Sequence, residues 1–373
     1  MLYNTCIQQK ATMYRAHTIR MKPTAAQHVL LMKHAGASRF AYNWGLDKWQ
    51  QLYDDFKARR RADKPSRFLI SRLWTIERPD WALEIARSPI TESFVYLGKA
   101  YTNFFKGRAR RPRFKKRSKG ISFQVDPSKA CLKGRRVHLP NIGDVRLTEE
   151  FRFHGHITGY TVRQYAGHWD VTVACDTPAV IKIVPNTVVG IDVGLQHPAV
   201  ASDGTFLELP KEKLQKLDLK LRRAQRALAR SQRNSKRSQK KLIKKQRIQE
   251  KITSIRKDAV HKFTTAICKH HATVVTEDLD IQEMRTKAPA RQVRRAYNAS
   301  LMRDIVFQIG YKAVRHIKAP RFFASTKRCS ACGHVKEAMP PNIRTYKCES
   351  CGAILDRDAN AARNLMLQPW VTR

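Results

Sequence analysis

The chain has 373 residues, 42% of them apolar, which is enough to bury the cores of two or three domains and excludes a disordered tail. Lysine and arginine number 73 against 30 acids, and the formal net charge of +43 points to a polyanionic partner, nucleic acid ahead of an anionic membrane surface. No apolar run approaches the roughly 18 residues of a spanning helix, nothing resembles a signal peptide, and eight unevenly placed cysteines do not make a disulfide framework, so a reducing, cytoplasmic setting is expected.

The first dozen residues are polar and featureless, with Met13 an alternative start. Residues 15–21 alternate polar and apolar side chains and predict a strand, which Lys22, Pro23 and Thr24 break before a helix. From 25 to 49 helical stripes are interrupted at Gly36, predicting two helices. A hairpin made for packing comes ahead of a helix-turn-helix that reads DNA. Further helical segments follow at 67–74 and 91–105. The segment GRARRPRFKKRSKG, 107–120, cannot bury itself; Arg111, Arg113, Lys115, Lys116 and Arg117 suit a phosphate backbone, against the plainer reading of a solvated linker. Short strands at 121–125, 136–139, 144–147, 157–164 and 169–174 suggest a small barrel or sandwich, closing with the first strand and leaving the helices as an insertion. Residues 176–186 read as a linker.

VVGIDVGL, 188–195, reads as a buried strand with Asp192 near its end, and 199–201 as a hairpin partner. A carboxylate there needs a hydrogen bond, a proton or a metal; by itself it reads equally well as a turn cap. Leu214 to Leu228 and Ile248 to Phe263 keep helical spacing, and 211–258 carries 19 basic residues against 4 acidic. This is an amphipathic hairpin whose cationic face, with Arg222, Arg223, Lys240, Lys241 and Lys244, suits nucleic-acid phosphates. A second strand, 272–276, ends at Glu277, with Asp278 and Asp280 as turn and helix caps. In DRDANAARNLM, Asp358 shares the core face with Ala362 and Leu365, whereas Asp356, Asn360 and Arg363 share another; Asp356 is the expected cap. Acids on a first strand, a later strand and a C-terminal helix match a ribonuclease H or RuvC type sheet gathering two Mg²⁺ ions about 4 Å apart for phosphodiester hydrolysis.

Cys329, Cys332, Cys348 and Cys351 read CxxC, fifteen residues, CxxC, with Gly333 and Gly352 placed to let each loop fold round a metal. A zinc ribbon with one structural Zn²⁺ is expected, closed to catalysis by its four thiolates. Cys6, Cys131, Cys175 and Cys268 are isolated small residues, and His334 a bystander.

GIDVGL, TEDLDIQEM, STKRCSACGH and KCESCGAILDRDANAARNL, with RPRFKKR, LPNIGDVRL, HTIRMKPTAAQ and RFAYNWGL, together resemble the TnpB (OrfB) family of transposon-encoded RNA-guided DNA endonucleases, relatives of type V CRISPR effectors. The resemblance implies a multidomain α+β and α/β protein. An N-terminal extension and first wedge strand (1–22) precede a helical recognition domain (23–106) and an oligonucleotide-binding-like wedge β-barrel (107–185). A RuvC, ribonuclease H-like, domain (186–324), the Cys₄ zinc ribbon (325–353) and a RuvC C-terminal helix (354–373) complete it. It also implies that a guide RNA from the transposon end binds, that a short motif beside the target in double-stranded DNA is recognised, and that Asp192, Glu277 and Asp358 cleave guide-matched DNA. A nucleoid-associated prokaryotic monomer is expected. HIKAPRFF departs from the strand the family places before the ribbon, which would alter the height of Asp358. A guide-dependent repressor without cleavage and an RNA-independent strand-transferring transposase are the other readings.

Overall fold

The computed structural model describes residues 12–117, 120–178, 184–340 and 343–367, apart from the side chains of Thr12 and Asn298. Cys6 with the polar N-terminal residues, the end of the basic segment at 118–119 and the middle of the expected linker lie outside them. The chain divides into two compact units, Met1–Val180 and Ile181–Arg373.

In the first unit β1 (Thr12–Lys22) pairs along its length with β7 (His168–Pro178) and at its end with β5 (Gly143–Leu147). With β2 (Ile121–Val125), β3 (Cys131–Lys133), β4 (Arg136–Leu139) and β6 (His156–Tyr165) they form a seven-stranded antiparallel sheet, ordered β2-β6-β7-β1-β5-β4-β3. Burial alternates along β7, putting Trp169, Val171, Val173 and Cys175 on the core face as a period of two requires. Among the described residues no ladder joins β2 to β3, so hydrogen bonding leaves the two ends of the sheet open.

The helices α1 (Ala25–Lys57), α2 (Arg67–Glu77) and α3 (Arg87–Phe105) stand between β1 and β2 in the chain. Thr24 and Gln27 cap α1 reciprocally. The expected break at Gly36 does not occur. A mid-helix glycine costs only about 1 kcal/mol, and burial of Leu31, Ala35, Ala41 and Leu46 on both sides of it outweighs that penalty. Leu31 and Ala35 pack on the sheet, whereas Leu46 and Trp49 pack with Ile70, Phe94 and Tyr101 in a separate helical core.

The second unit is built on a four-stranded sheet of order β11-β10-β8-β9. Here β10 (Thr273–Glu277) runs parallel to both β8 (Val188–Asp192) and β11 (Arg315–Ala319), while β9 (Val200–Ala201) is antiparallel to β8. The strand before the ribbon is therefore formed, despite its departure from the family pattern. α4 (Lys211–Ala229) and α5 (Lys236–His270) make the expected long hairpin, zipped by Leu214, Leu217, Leu221, Ile248, Ile252 and Ile255. The C-terminal half of α5 and α8 (Met302–Lys312) cover one sheet face through Val260, Phe263, Ile305 and Ile309 against Val189 and Ile191. α9 (Arg357–Met366) covers the other, with Leu365 against Val275 and Ala319. Between β10 and α8 run α6 (Ile281–Thr286), capped by Asp280 as expected, and α7 (Arg291–Ala299).

Candidate active site and metal centre

Asp192 and Glu277 are the last residues of two adjacent parallel strands, in a register that sets Ile191 opposite Thr276, so both carboxylates leave the sheet at the same end. Asp358 reaches them from the first turn of α9, whose N-cap is Asp356, its Oδ1 accepting from the Ala359 N–H at 2.9 Å. The close approach of α9 depends on Gly190. A Cβ there would lie 2.0 Å from the Ala362 carbonyl oxygen and 2.9 Å from the Met366 nitrogen. Ser202 on the hairpin turn fastens the strand by accepting from the Gly190 N–H at 3.1 Å.

The electrostatics follow from setting a buried acid, Asp358, beside two half-buried ones, Asp192 and Glu277. Burial, reinforced by the charges of Glu277 and Asp358, pushes the Asp192 carboxyl up to about 8, against the opposing pull of Arg357 and Arg344. Burial also raises Glu277, which the Ser325 hydroxyl, donating to Oε1, partly offsets. Asp358 is ion-paired: Arg344 Nη1 lies 3.1 and 3.2 Å from its two oxygens. Without a bound cation, such a cluster can be neutralised only by retained protons and these arginines. An all-oxygen donor set of this kind fits a hard divalent ion such as Mg²⁺.

The four ribbon cysteines come together, with all Sγ atoms within 4.8 Å of one another. Cys329 and Cys351 are 3.8 Å apart and Cys332 and Cys348 3.5 Å, close to the roughly 3.8 Å edge of a tetrahedron with Zn–S bonds of about 2.3 Å. Cys348 and Cys351 follow β12 (Thr345–Lys347), which pairs with β13 (Ile354–Asp356). Gly333 and Gly352, at φ of +80° and +71°, return their N–H groups to the carbonyls of Cys329 and Cys348. The Cys351 amide, followed by that of Ser350, lowers the Cys348 thiol to about 6, favouring the thiolate a metal needs. The donor set fits zinc. Of the isolated cysteines, Cys175 and Cys268 are buried and Cys131 is exposed.

Arg111, Arg113, Lys116 and Arg117 are exposed on an irregular segment. Lys115 also anchors that segment. Asn43 brackets its backbone with two hydrogen bonds of 2.7 and 3.0 Å, and its ammonium lies 3.9 Å from the Tyr42 ring centroid, where burial lowers its pKa. On the long hairpin Arg222, Arg223, Lys240 and Lys244 are exposed, whereas Lys241 donates to the Ala227 carbonyl at 3.0 Å and caps α4.

Four further residues belong to this region and were not singled out in the sequence: Ser325, Arg344, Asn360 and Asn364. Asn360 was expected on a different face from Asp358, together with Asp356 and Arg363. It is instead fully buried, because the chain entering the ribbon packs over that face. Two asparagines four residues apart on a helix were the available signal, since buried amides must find partners.

Comparison with known proteins places the whole chain in a family. The Escherichia coli (strain K12) protein named "Putative RNA-guided DNA endonuclease InsQ" is 30% identical over 372 residues, covering 94% of this chain and 91% of its own. The chain belongs to the TnpB (OrfB) family. A Streptomyces pristinaespiralis member, "Putative RNA-guided DNA endonuclease", is 28% identical, covering 94% of this chain and 88% of its own. The family model OrfB_IS605, described as "Probable transposase", matches residues 173–288 and so includes Asp192 and Glu277. The "Cas12f1-like, TNB domain" model matches 303–365, which holds the four cysteines and Asp358. A model described as "Helix-turn-helix domain" matches 13–57, where the structure has a strand and one unbroken helix. In a solved Cas12f1–sgRNA–target DNA complex the protein is 12% identical, with a TM-score of 0.52 over 97% of this chain and 100% of that one, a likeness of fold.

Proposed function

We propose that this protein is an RNA-guided DNA endonuclease of a transposable element. The observation that carries the proposal is that Asp192 and Glu277 end adjacent parallel strands while Asp358 stands on the first turn of α9, near enough for the charges of Glu277 and Asp358 both to raise the Asp192 carboxyl. The sheet order β11-β10-β8-β9, with its single antiparallel hairpin, supports reading the second unit as a ribonuclease H-like RuvC domain with the ribbon inserted before α9. The partly open sheet of the first unit, interrupted in sequence by three helices, supports an oligonucleotide-binding-like wedge with a helical recognition insertion. The boundaries proposed are those set out from the sequence.

Asp192, Glu277 and Asp358 are the proposed ligands of two Mg²⁺ ions. When bound, such ions supply an activated water and stabilise the leaving oxygen of a phosphodiester. The protein's own contributions are distinct. The strand ends fix two carboxylates, and α9 brings the third. A proton kept on Asp192 by burial and the neighbouring acids would have to leave for the carboxylate to hold a divalent ion. No serine or histidine nucleophile is required. The cysteines are proposed to hold one structural Zn²⁺. Exposed arginines and lysines on 108–117 and on the α4–α5 hairpin are the proposed phosphate contacts for guide RNA and target DNA, with sequence read by base pairing.

The test uses protein purified with its co-expressed RNA, which is sequenced. The complex is then incubated with Mg²⁺ and a plasmid library carrying the guide-matched target beside randomised flanks. Cleavage of a subset sharing one flank, abolished in Asp192→Ala, is the expected result. Binding without cutting would favour a guided repressor, against which all three acids speak. Joined DNA ends formed without RNA would favour the transposase that the OrfB_IS605 description names.

A further inference from the structure

The chain entering the ribbon is stapled to the helix that carries Asp358. Asn360 and Asn364 stand one turn apart on α9 and are 0% and 1% exposed. Asn364 Nδ2 donates to the carbonyls of Ser325 at 2.8 Å and Arg328 at 2.6 Å. Asn360 Nδ2 donates to the same Arg328 carbonyl at 2.7 Å, and its Oδ1 accepts from the Ser330 N–H at 2.9 Å. These bonds bracket residues 325–330, which run into and past the first ribbon cysteine. Ser325 itself is 3% exposed and turns its hydroxyl onto Glu277 Oε1.

Buried amides are tolerated where their bonds compensate desolvation, and a leucine at either position would pack without any such requirement. All four of these bonds go to the ribbon entry rather than to α9 itself. The terminal torsion of a glutamate is broad and roughly two-fold, so an unbonded Glu277 carboxylate could rotate. One donor on Oε1 fixes it. The donor in turn is fixed by Asn364 through its own carbonyl.

We propose that Ser325 is a positioning residue for Glu277, and that Asn364 couples it to the ribbon, so that the cysteine-bound metal and the carboxylate cluster are mechanically linked. Loss of the ribbon's metal then loosens the carboxylate site without touching any of its ligands. This rests on reading the three acids as a divalent-ion site.

The test is Mn²⁺ binding to the full-length, zinc-loaded protein, followed by electron paramagnetic resonance. Asp192→Ala identifies the ions bound at the cluster. Ser325→Ala should weaken Asp192-dependent binding about 10- to 100-fold, the usual effect of removing a group that orients a ligand, with zinc content unchanged. Ser325→Thr, which keeps the hydroxyl, should bind as the parent does. Asn364→Leu should weaken binding by a similar factor, and adding Ser325→Ala should weaken it little further, because both act through one contact. Cys351→Ser, with zinc lost, should lower Mn²⁺ affinity too. Unchanged affinity in Ser325→Ala, or equal losses in Ser325→Ala and Ser325→Thr, overturns the proposal. If the parent itself shows no Asp192-dependent Mn²⁺ binding, the divalent reading of the cluster falls first and this inference falls with it.

Discussion

Asp192→Asn should stabilise the metal-free protein more at pH 8 than at pH 5. The folded carboxyl titrates at about 8 against an ordinary value of 3.8, chiefly because it is buried and then because Glu277 and Asp358 lie beside it. The unfolded chain releases this proton first. Between these two values the folded state therefore holds more protons, and stability falls as pH rises through that window. A shift of about 4 units at 1.36 kcal/mol per unit sets a ceiling of about 5 kcal/mol at pH 8. A buried amide keeps a desolvation cost of about 1–3 kcal/mol, which leaves an expected gain of about 3 kcal/mol. For a unit of this size that is a rise in Tm of about 6–12 °C. The assay is calorimetric unfolding at pH 5 and pH 8 in divalent-free buffer, without a chelator strong enough to strip the cysteines. Mg²⁺ should raise the Tm of the parent and not of the variant. A gain equal at both pH values, or a loss at pH 8, would refute the reasoning.

Other expectations are as direct. Gly190→Ala should abolish soluble protein or lower stability by more than about 3 kcal/mol, since its Cβ would fall 2.0 Å from the Ala362 carbonyl oxygen; expression and thermal melts decide it. Gly36→Ala should add about 0.5–1 kcal/mol, because a Cβ there meets nothing within 4 Å in a continuous helix, and urea titration of the variant measures this. Cys351→Ser should lose the zinc bound per chain by metal analysis, with a lower Tm for the second unit. Replacing Lys240 and Lys244 together by alanine should flatten the dependence of log affinity on log salt for RNA by about 1–2, leaving the fold intact by circular dichroism.

Much of this was legible because it depends on local pattern. Alternation found the strands of the first unit to within a few residues, and three-four spacing found the α4–α5 seam. The CxxC spacing was legible for the same reason: four thiols on two tight loops have few ways to avoid meeting. Gly36 misled because a glycine weighs heavily in a local reading and lightly in a helix buried on both flanks. The short β3 and the formed β11 were not legible, since their pairing partners supply what their own side chains do not.

The sequence by itself determined which residues are the candidates: three acids at element ends, four cysteines in two pairs, and a positive charge that points to a polyanionic partner. Only the tertiary structure decided how they act on one another. That burial and two neighbouring acids raise the Asp192 carboxyl, that Arg344 from the ribbon pairs with Asp358, and that Ser325 and the two asparagines bind the ribbon entry to Glu277 and α9 all depend on distances between segments remote in sequence. Electrostatic and hydrogen-bond energies are set by separation and burial in space, and neither can be read from spacing along a chain.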